Sequence, residues 1–113
     1  MSNPIQATQA KDTTTIARLT GSLTVMNAPD LRMGLLDAIK ANQPKVLALN
    51  LAEVDFVDSS ALGVFVEARR QMTASDGSVT FTNVNDDIRG LMRIMNLESV
   101  FDFVDDEGEL SES

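Results

Sequence analysis

A chain of 113 residues, 43% apolar and carrying a net charge of −8, is long enough for one domain with a real core. It is too acidic to meet a nucleic-acid backbone or an anionic membrane surface. It holds no Cys, His, Tyr or Trp, which excludes disulfides and thiolate chemistry and removes the commonest general base, the usual zinc ligands and most base-stacking side chains.

Residues 1–12 are mostly polar, with no apolar run of signal-peptide type, and their end is a candidate edge strand. No stretch approaches the roughly 20 apolar residues of a spanning helix, so a cytoplasmic location is expected. Residues 13–20 are rich in β-branched side chains and stop at Gly21, which predicts a strand. Ile16 falls on the face opposite Ala17 and Leu19, so both faces of that strand should be partly covered. Asn27-Ala28-Pro29-Asp30 then has the form of a helix start: Asn27 to cap, Pro29 in the first turn, Asp30 at the positive helix end. Leu31, Leu35, Ala38 and Ile39 recur at helical spacing until Asn42, Gln43 and Pro44.

Val46-Leu47-Ala48-Leu49 is an uninterrupted apolar run, suited to a central strand buried on both faces. A bend is expected at Glu53 before Val54-Asp55-Phe56-Val57-Asp58. A second helix is predicted over residues 59–74, closed by the turn pair Asp76-Gly77. Val79 and Phe81 alternate with Ser78, Thr80 and Thr82 as a half-buried strand. Asn85 caps a third helix carrying Ile88, Leu91, Met92 and Met95. Residues 101–104 make a last short strand, and residues 105–113 an acidic, frayed tail. Strand and helix alternate throughout, so the expectation is a single α/β domain with a largely parallel sheet.

The informative stretch is Asp55-Phe56-Val57-Asp58-Ser59-Ser60-Ala61-Leu62-Gly63, where a buried strand gives way to a helix. Ligands and modifications collect at that edge of open α/β sheets. Ser59 or Ser60 can supply the cap oxygen, and the unpaired N–H groups of the first turn can hold a phosphate. Asp55 and Asp58 as a metal pair are disfavoured, because Mg²⁺ needs more oxygen ligands than the two supply. Ser59 as a catalytic nucleophile lacks a base, since there is no His and nothing places Lys45 beside it. Gly63 inside a helix costs about 1 kcal/mol relative to Ala, which points to a close backbone approach. Of Met26, Met33, Met72, Met92 and Met95, most fit helix core faces as gap fillers.

Residues 57–63 resemble the D-S-S/A-G/A-L-G motif of STAS domains, the anti-sigma factor antagonist family. Leu19-Thr20-Gly21-Ser22-Leu23 is similar to the L-x-G-x-L that ends the family's second strand, residues 46–51 to its central strand, and Ile88-Arg89-Gly90-Leu91-Met92 with Leu97 to its third helix and the following turn. The resemblance implies a mixed, largely parallel sheet with helices packed against it, spanning residues 1–113. It implies no enzyme and no cofactor. It implies a partner-switching role in which a serine kinase that is also an anti-sigma factor phosphorylates the antagonist and a PP2C-type phosphatase resets it. The phosphoacceptor carried over is Ser59, oriented by Asp58. Partner contacts fall on Asp58, Ser60, Leu62, Gly63, Val66 and Thr24. Phe65 should face the sheet with Ala61, Ala68 and Met72, leaving Leu62 and Val66 as an exposed apolar margin. The chain departs from the family pattern at Thr24, where an acidic residue is frequent, at Ala61, which replaces Gly, and in a final helix that is missing or very short. The alternative within the same family is a constitutive scaffold or an accessory subunit of a stress-sensing or lipid-transport complex, with Ser59 a plain cap.

Overall fold

Two apolar runs set the middle of the sheet: Leu47, Ala48 and Leu49 on one strand and Val79 and Phe81 on the next are all buried. In the computed structural model, which describes residues 3–110, the elements are β1 (Ile5–Lys11), β2 (Thr14–Leu23), α1 (Ala28–Asn42), β3 (Val46–Val57), α2 (Ser59–Ala74), β4 (Ser78–Thr82), α3 (Asp86–Ile94) and β5 (Asp102–Val104), followed by a 3-10 turn at Glu107–Glu109. Met1, Ser2 and residues 111–113 of the expected terminal segments lie outside the described residues. The sheet order is β1-β2-β3-β4-β5. β1 is antiparallel to β2, and the other pairings are parallel. The result is the mixed, largely parallel α/β sheet that the alternation of elements implies. Each helix joins neighbouring parallel strands, so right-handed crossovers place all three against one face. There Phe65 meets Phe81 edge-on, with centroids 5.1 Å apart, and Phe81 meets Phe101 at 4.9 Å.

β2 does not stop at Gly21. It passes through it with φ +83° and runs on to Leu23. The expected bend at Glu53 is not a break either, since β3 is continuous over twelve residues. Its register against β2 slips twice, between Arg18 and Thr20 and between Gly21 and Ser22. These irregularities spend extra β3 residues, and burial changes from the consecutive Leu47, Ala48 and Leu49 to every third position: Leu51, Val54 and Val57 point inward. Val54 is thereby turned inward and Asp55 to solvent, where Phe56 also lies.

Three further expectations are corrected. Gly63 is exposed, and a Cβ there would touch nothing. The close approach belongs to Gly77, where a Cβ would sit 2.7 Å from Met72 Cε and 2.9 Å from the Lys45 carbonyl oxygen. Only Met72 and Met92 of the five methionines are core; Met26, Met33 and Met95 are exposed. The described part of the tail is not frayed. Asp106 and Glu109 form a capping box around the 3-10 turn. Glu107 accepts from Arg18 Nη2 at 2.7 Å, Arg18 Nε at 3.0 Å and Asn50 Nδ2 at 2.7 Å. The strap lies on the sheet face away from the helices, where Ile16 is buried as expected for a strand covered on both sides.

Candidate functional site

The end of β3 delivers Asp58 to the N-terminus of α2 on extended backbone, with φ −112° and ψ −176°. The cap is Asp58, not Ser59 or Ser60. Its Oδ1 accepts from Ala61 N at 3.1 Å, and its Oδ2 accepts from Val25 N at 3.0 Å. Its backbone N–H donates to the Leu23 carbonyl at 3.0 Å. One residue therefore closes the first turn of α2 and ties it to the loop between β2 and α1.

That loop is shaped by its own side chains. Asn27 makes no side-chain cap for α1, contrary to expectation. Its Oδ1 accepts from Thr24 N at 2.9 Å, and its Nδ2 donates to the Ser22 carbonyl at 2.9 Å. Thr24 Oγ1 accepts from Met26 N at 3.2 Å. Ser22 Oγ donates to Asp55 Oδ1 at 2.9 Å. The effect is to hold Val25 (64% exposed) and Met26 (77% exposed) out in water beside the start of α2.

With capping assigned to Asp58, Ser59 is the first residue of α2 and is exposed. Among the described residues nothing engages its hydroxyl. Gly63 and Val66 follow at i+4 and i+7, and both are exposed, so the three form one solvent-facing stripe. Ser60 is half-buried on the adjoining face and lines a groove of about 540 Å³ between α1 and α2, with Pro29, Arg32, Met33 and Val64. Arg32 Nε donates to Glu67 at 2.9 Å across these helices. The Arg32 guanidinium holds the Glu67 carboxyl below the usual carboxylate range. Thr24 and Asp58 are half-buried at the junction itself.

Leu62 is not part of this surface. It is 3% exposed and belongs to the core. Phe65 does face the sheet with Ala61, Ala68 and Met72. However, α2 is covered along a flank as well: Arg69, seven residues after Leu62 and on its side of the helix, donates from Nε to the Val100 carbonyl at 2.8 Å. A helix wedged between neighbours buries more than one stripe. Besides the three exposed methionines, the exposed apolar residues that sequence reasoning missed include Val25, Phe56 and Ile94. For Val25 the available signal was an apolar pair, Val25-Met26, inside a loop with no alternation; for Phe56 it was the alternation of Leu47, Leu49 and Leu51, which puts residue 56 on the face away from the core.

The STAS domain family model matches residues 5–110. An anti-sigma F factor antagonist of Paenibacillus polymyxa is 28% identical over 92 residues, 81% of this chain and 79% of that one. An anti-sigma-B factor antagonist of Bacillus subtilis is 31% identical over 84 residues, 74% and 75%. Among solved structures, an anti-sigma factor antagonist from Mycobacterium paratuberculosis superposes with a TM-score of 0.79 at 17% identity, covering 91% of this chain and 86% of that one. The Bacillus cell fate determinant SpoIIAA in its phosphorylated form gives 0.68 at 22% identity, covering 90% and 95%. Among the described residues, no helix is long and apolar enough to cross a membrane.

Proposed function

Because the chain belongs to the STAS domain family, we propose that it is an anti-sigma factor antagonist that works by partner switching in the cytoplasm. The unmodified protein docks on a serine kinase that is also an anti-sigma factor. It does so through Ser59, Gly63 and Val66, flanked by Ser60, Asp58, Thr24 and the exposed Val25 and Met26. The kinase transfers the γ-phosphoryl group of its nucleotide to Ser59 Oγ, which gives up its proton. A PP2C-type phosphatase hydrolyses the ester and resets the protein.

The observation that carries this reading is Ser59 itself: exposed, first in α2, and relieved of capping by Asp58. A phosphate there adds about −1.5 to −2 charges beside Asp55 and Asp58. The positive end of α2 favours it by about 0.3–2 kcal/mol, so the fold tolerates the group. A partner surface shaped for a neutral hydroxyl meets repulsion and desolvation instead. A loss of about 3 kcal/mol weakens binding roughly a hundredfold. Release then follows from local charge and clash, with no refolding.

Incubation with the kinase and ATP should add one phosphate by intact mass, mapped to Ser59 and abolished in Ser59→Ala. Mapping to Ser60 or Thr24 would overturn the assignment.

A further inference from the structure

Three surface cavities differ in how their charges balance. The cavity under the tail sets Lys11 and Arg18 against Asp12 and Glu107. The groove between the starts of α1 and α2 sets Arg32 against Asp37. The third cavity, about 640 Å³, lies at the other end of the same two helices, away from Ser59, and its wall holds Lys40 and Lys45 with no carboxylate. That volume falls within the span of small-molecule sites, about 300–1,000 Å³.

Among the described residues, Arg18, Arg32, Arg89 and Arg93 each have a carboxylate partner, whereas Arg69, Arg70, Lys40 and Lys45 have none, and of these only Lys40 and Lys45 share a cavity wall. Two unneutralised cations on one cavity are unexpected in a chain of charge −8. The cavity also has an apolar side. Leu36 and Ile39 are half-buried and present apolar surface to it, with the buried Pro44 and Met72 beneath. Gln43, Gln71 and Ser75 add donors at the rim. The backbone under Lys45 is fixed, its N–H donating to the Thr13 carbonyl at 2.7 Å and its carbonyl accepting from Ser78 N at 3.0 Å. One effect opposes an anion: the C-termini of α1 and α2 point here, each equivalent to roughly half a negative charge. Two full ammonium charges outweigh them. The Ile39 and Met72 carbonyls are in any case already taken by the N–H groups of Gln43 and Gly77.

We infer that this cavity binds a small amphiphilic carboxylate, with its head between Lys40 and Lys45 and its hydrocarbon chain along Leu36 and Ile39. The site lies apart from the proposed docking stripe and does not depend on it.

Decanoate, used as a dissolved monomer, is the probe. Its addition should shift the backbone amide resonances of Lys40, Gln43, Lys45 and Ser75, and affinity should rise from hexanoate to decanoate. Decanol should bind about tenfold more weakly or worse, and so should decanoate to the double variant Lys40→Gln/Lys45→Gln, with Lys→Arg at both positions restoring binding. Both lysines are exposed, so an unchanged melting temperature is expected in each variant. Absence of shifts, shifts centred on Met33 and Val64, equal binding of decanol, or wild-type affinity in the double variant would each overturn the inference. Lysine-dependent sedimentation with phosphatidylglycerol vesicles, without decanoate binding, would overturn it in favour of a lipid surface.

Discussion

Asp58 and Asp106 both stand on extended backbone at the end of a strand segment, and each caps the helical turn that follows it. The neighbouring residues have opposite fates. After Asp106 comes Glu107, whose carboxylate is consumed internally by Arg18 and Asn50 and whose N–H donates to Asn83 Oδ1 at 3.0 Å. After Asp58 comes Ser59, which nothing in the described chain engages. Capping by the preceding aspartate is common to both. What differs is whether distant elements reach the next side chain. At the tail they do, and the segment becomes a strap over the sheet. At the start of α2 they do not, and a hydroxyl is left for an outside partner.

The largest effect that bounds the open region is at Leu62. Leu62→Asp buries a charge in the core and should cost about 4 kcal/mol or more, enough to unfold much of a domain of ordinary stability, as read by urea titration. Val66→Asp, on the exposed stripe, should stay within about 0.5 kcal/mol and weaken partner binding instead. A folded Leu62→Asp protein would place Leu62 on the open surface instead of in the core.

Next comes Asp58, which makes two bonds to backbone amides. Asp58→Ala should cost about 2–3 kcal/mol, the cap accounting for about 1 of it and the charge-assisted bond to Val25 for the rest. Amide exchange should quicken both in the first turn of α2 and in the loop at Val25. Faster exchange in α2 alone would show that the loop holds its shape without Asp58.

The closed region should respond to acid. Arg18 holds the Glu107 carboxyl below its ordinary value near 4.5, so the ionised form favours the folded strap. That stability is present above about pH 4.5 and is lost as the pH falls through the lower folded value. Glu107→Gln should cost about 1–2 kcal/mol at neutral pH, since the pair is partly exposed and screened, and should flatten the acid limb of the melting-temperature profile. An unchanged acid limb would mean that other carboxylates govern it.

The smallest effect is at Ser59. Ser59→Ala removes no bond the structure contains and raises helix propensity, so stability should move by less than about 0.5 kcal/mol. A loss of about 1 kcal/mol or more would make Ser59 a cap after all.

The order and type of the elements were legible because each carries a local signal: β-branched residues in β2, an apolar run in β3, the Asp76-Gly77 turn, the Asn85 cap, which accepts from Ile88 N at 2.8 Å. The start of α2 at Ser59 and the exposure of Val66 followed from helical periodicity and from the family motif, whereas Gly63, expected at a close backbone approach, is exposed. Where sequence reading failed, the cause was an interaction without a local signature. Leu62 is buried because α2 is covered along a flank as well as on the sheet. Asn27 turns away from α1 because Thr24 and Ser22 offer it closer partners. The tail is ordered by Arg18, 89 residues away in sequence. The slipped register of β3 against β2 turns Val54 inward and Asp55 outward, the reverse of what the alternation of Leu47, Leu49 and Leu51 would give.

The central question is whether charge at Ser59 controls docking. The direct test is calorimetry of the purified kinase partner against two forms of this chain, unmodified and with phosphoserine installed at position 59. The unmodified form should bind and the phosphorylated form should bind about a hundredfold more weakly, with the same melting temperature and amide spectrum beyond the start of α2. Equal affinity for the two forms would contradict the switch and leave a constitutive scaffold in its place.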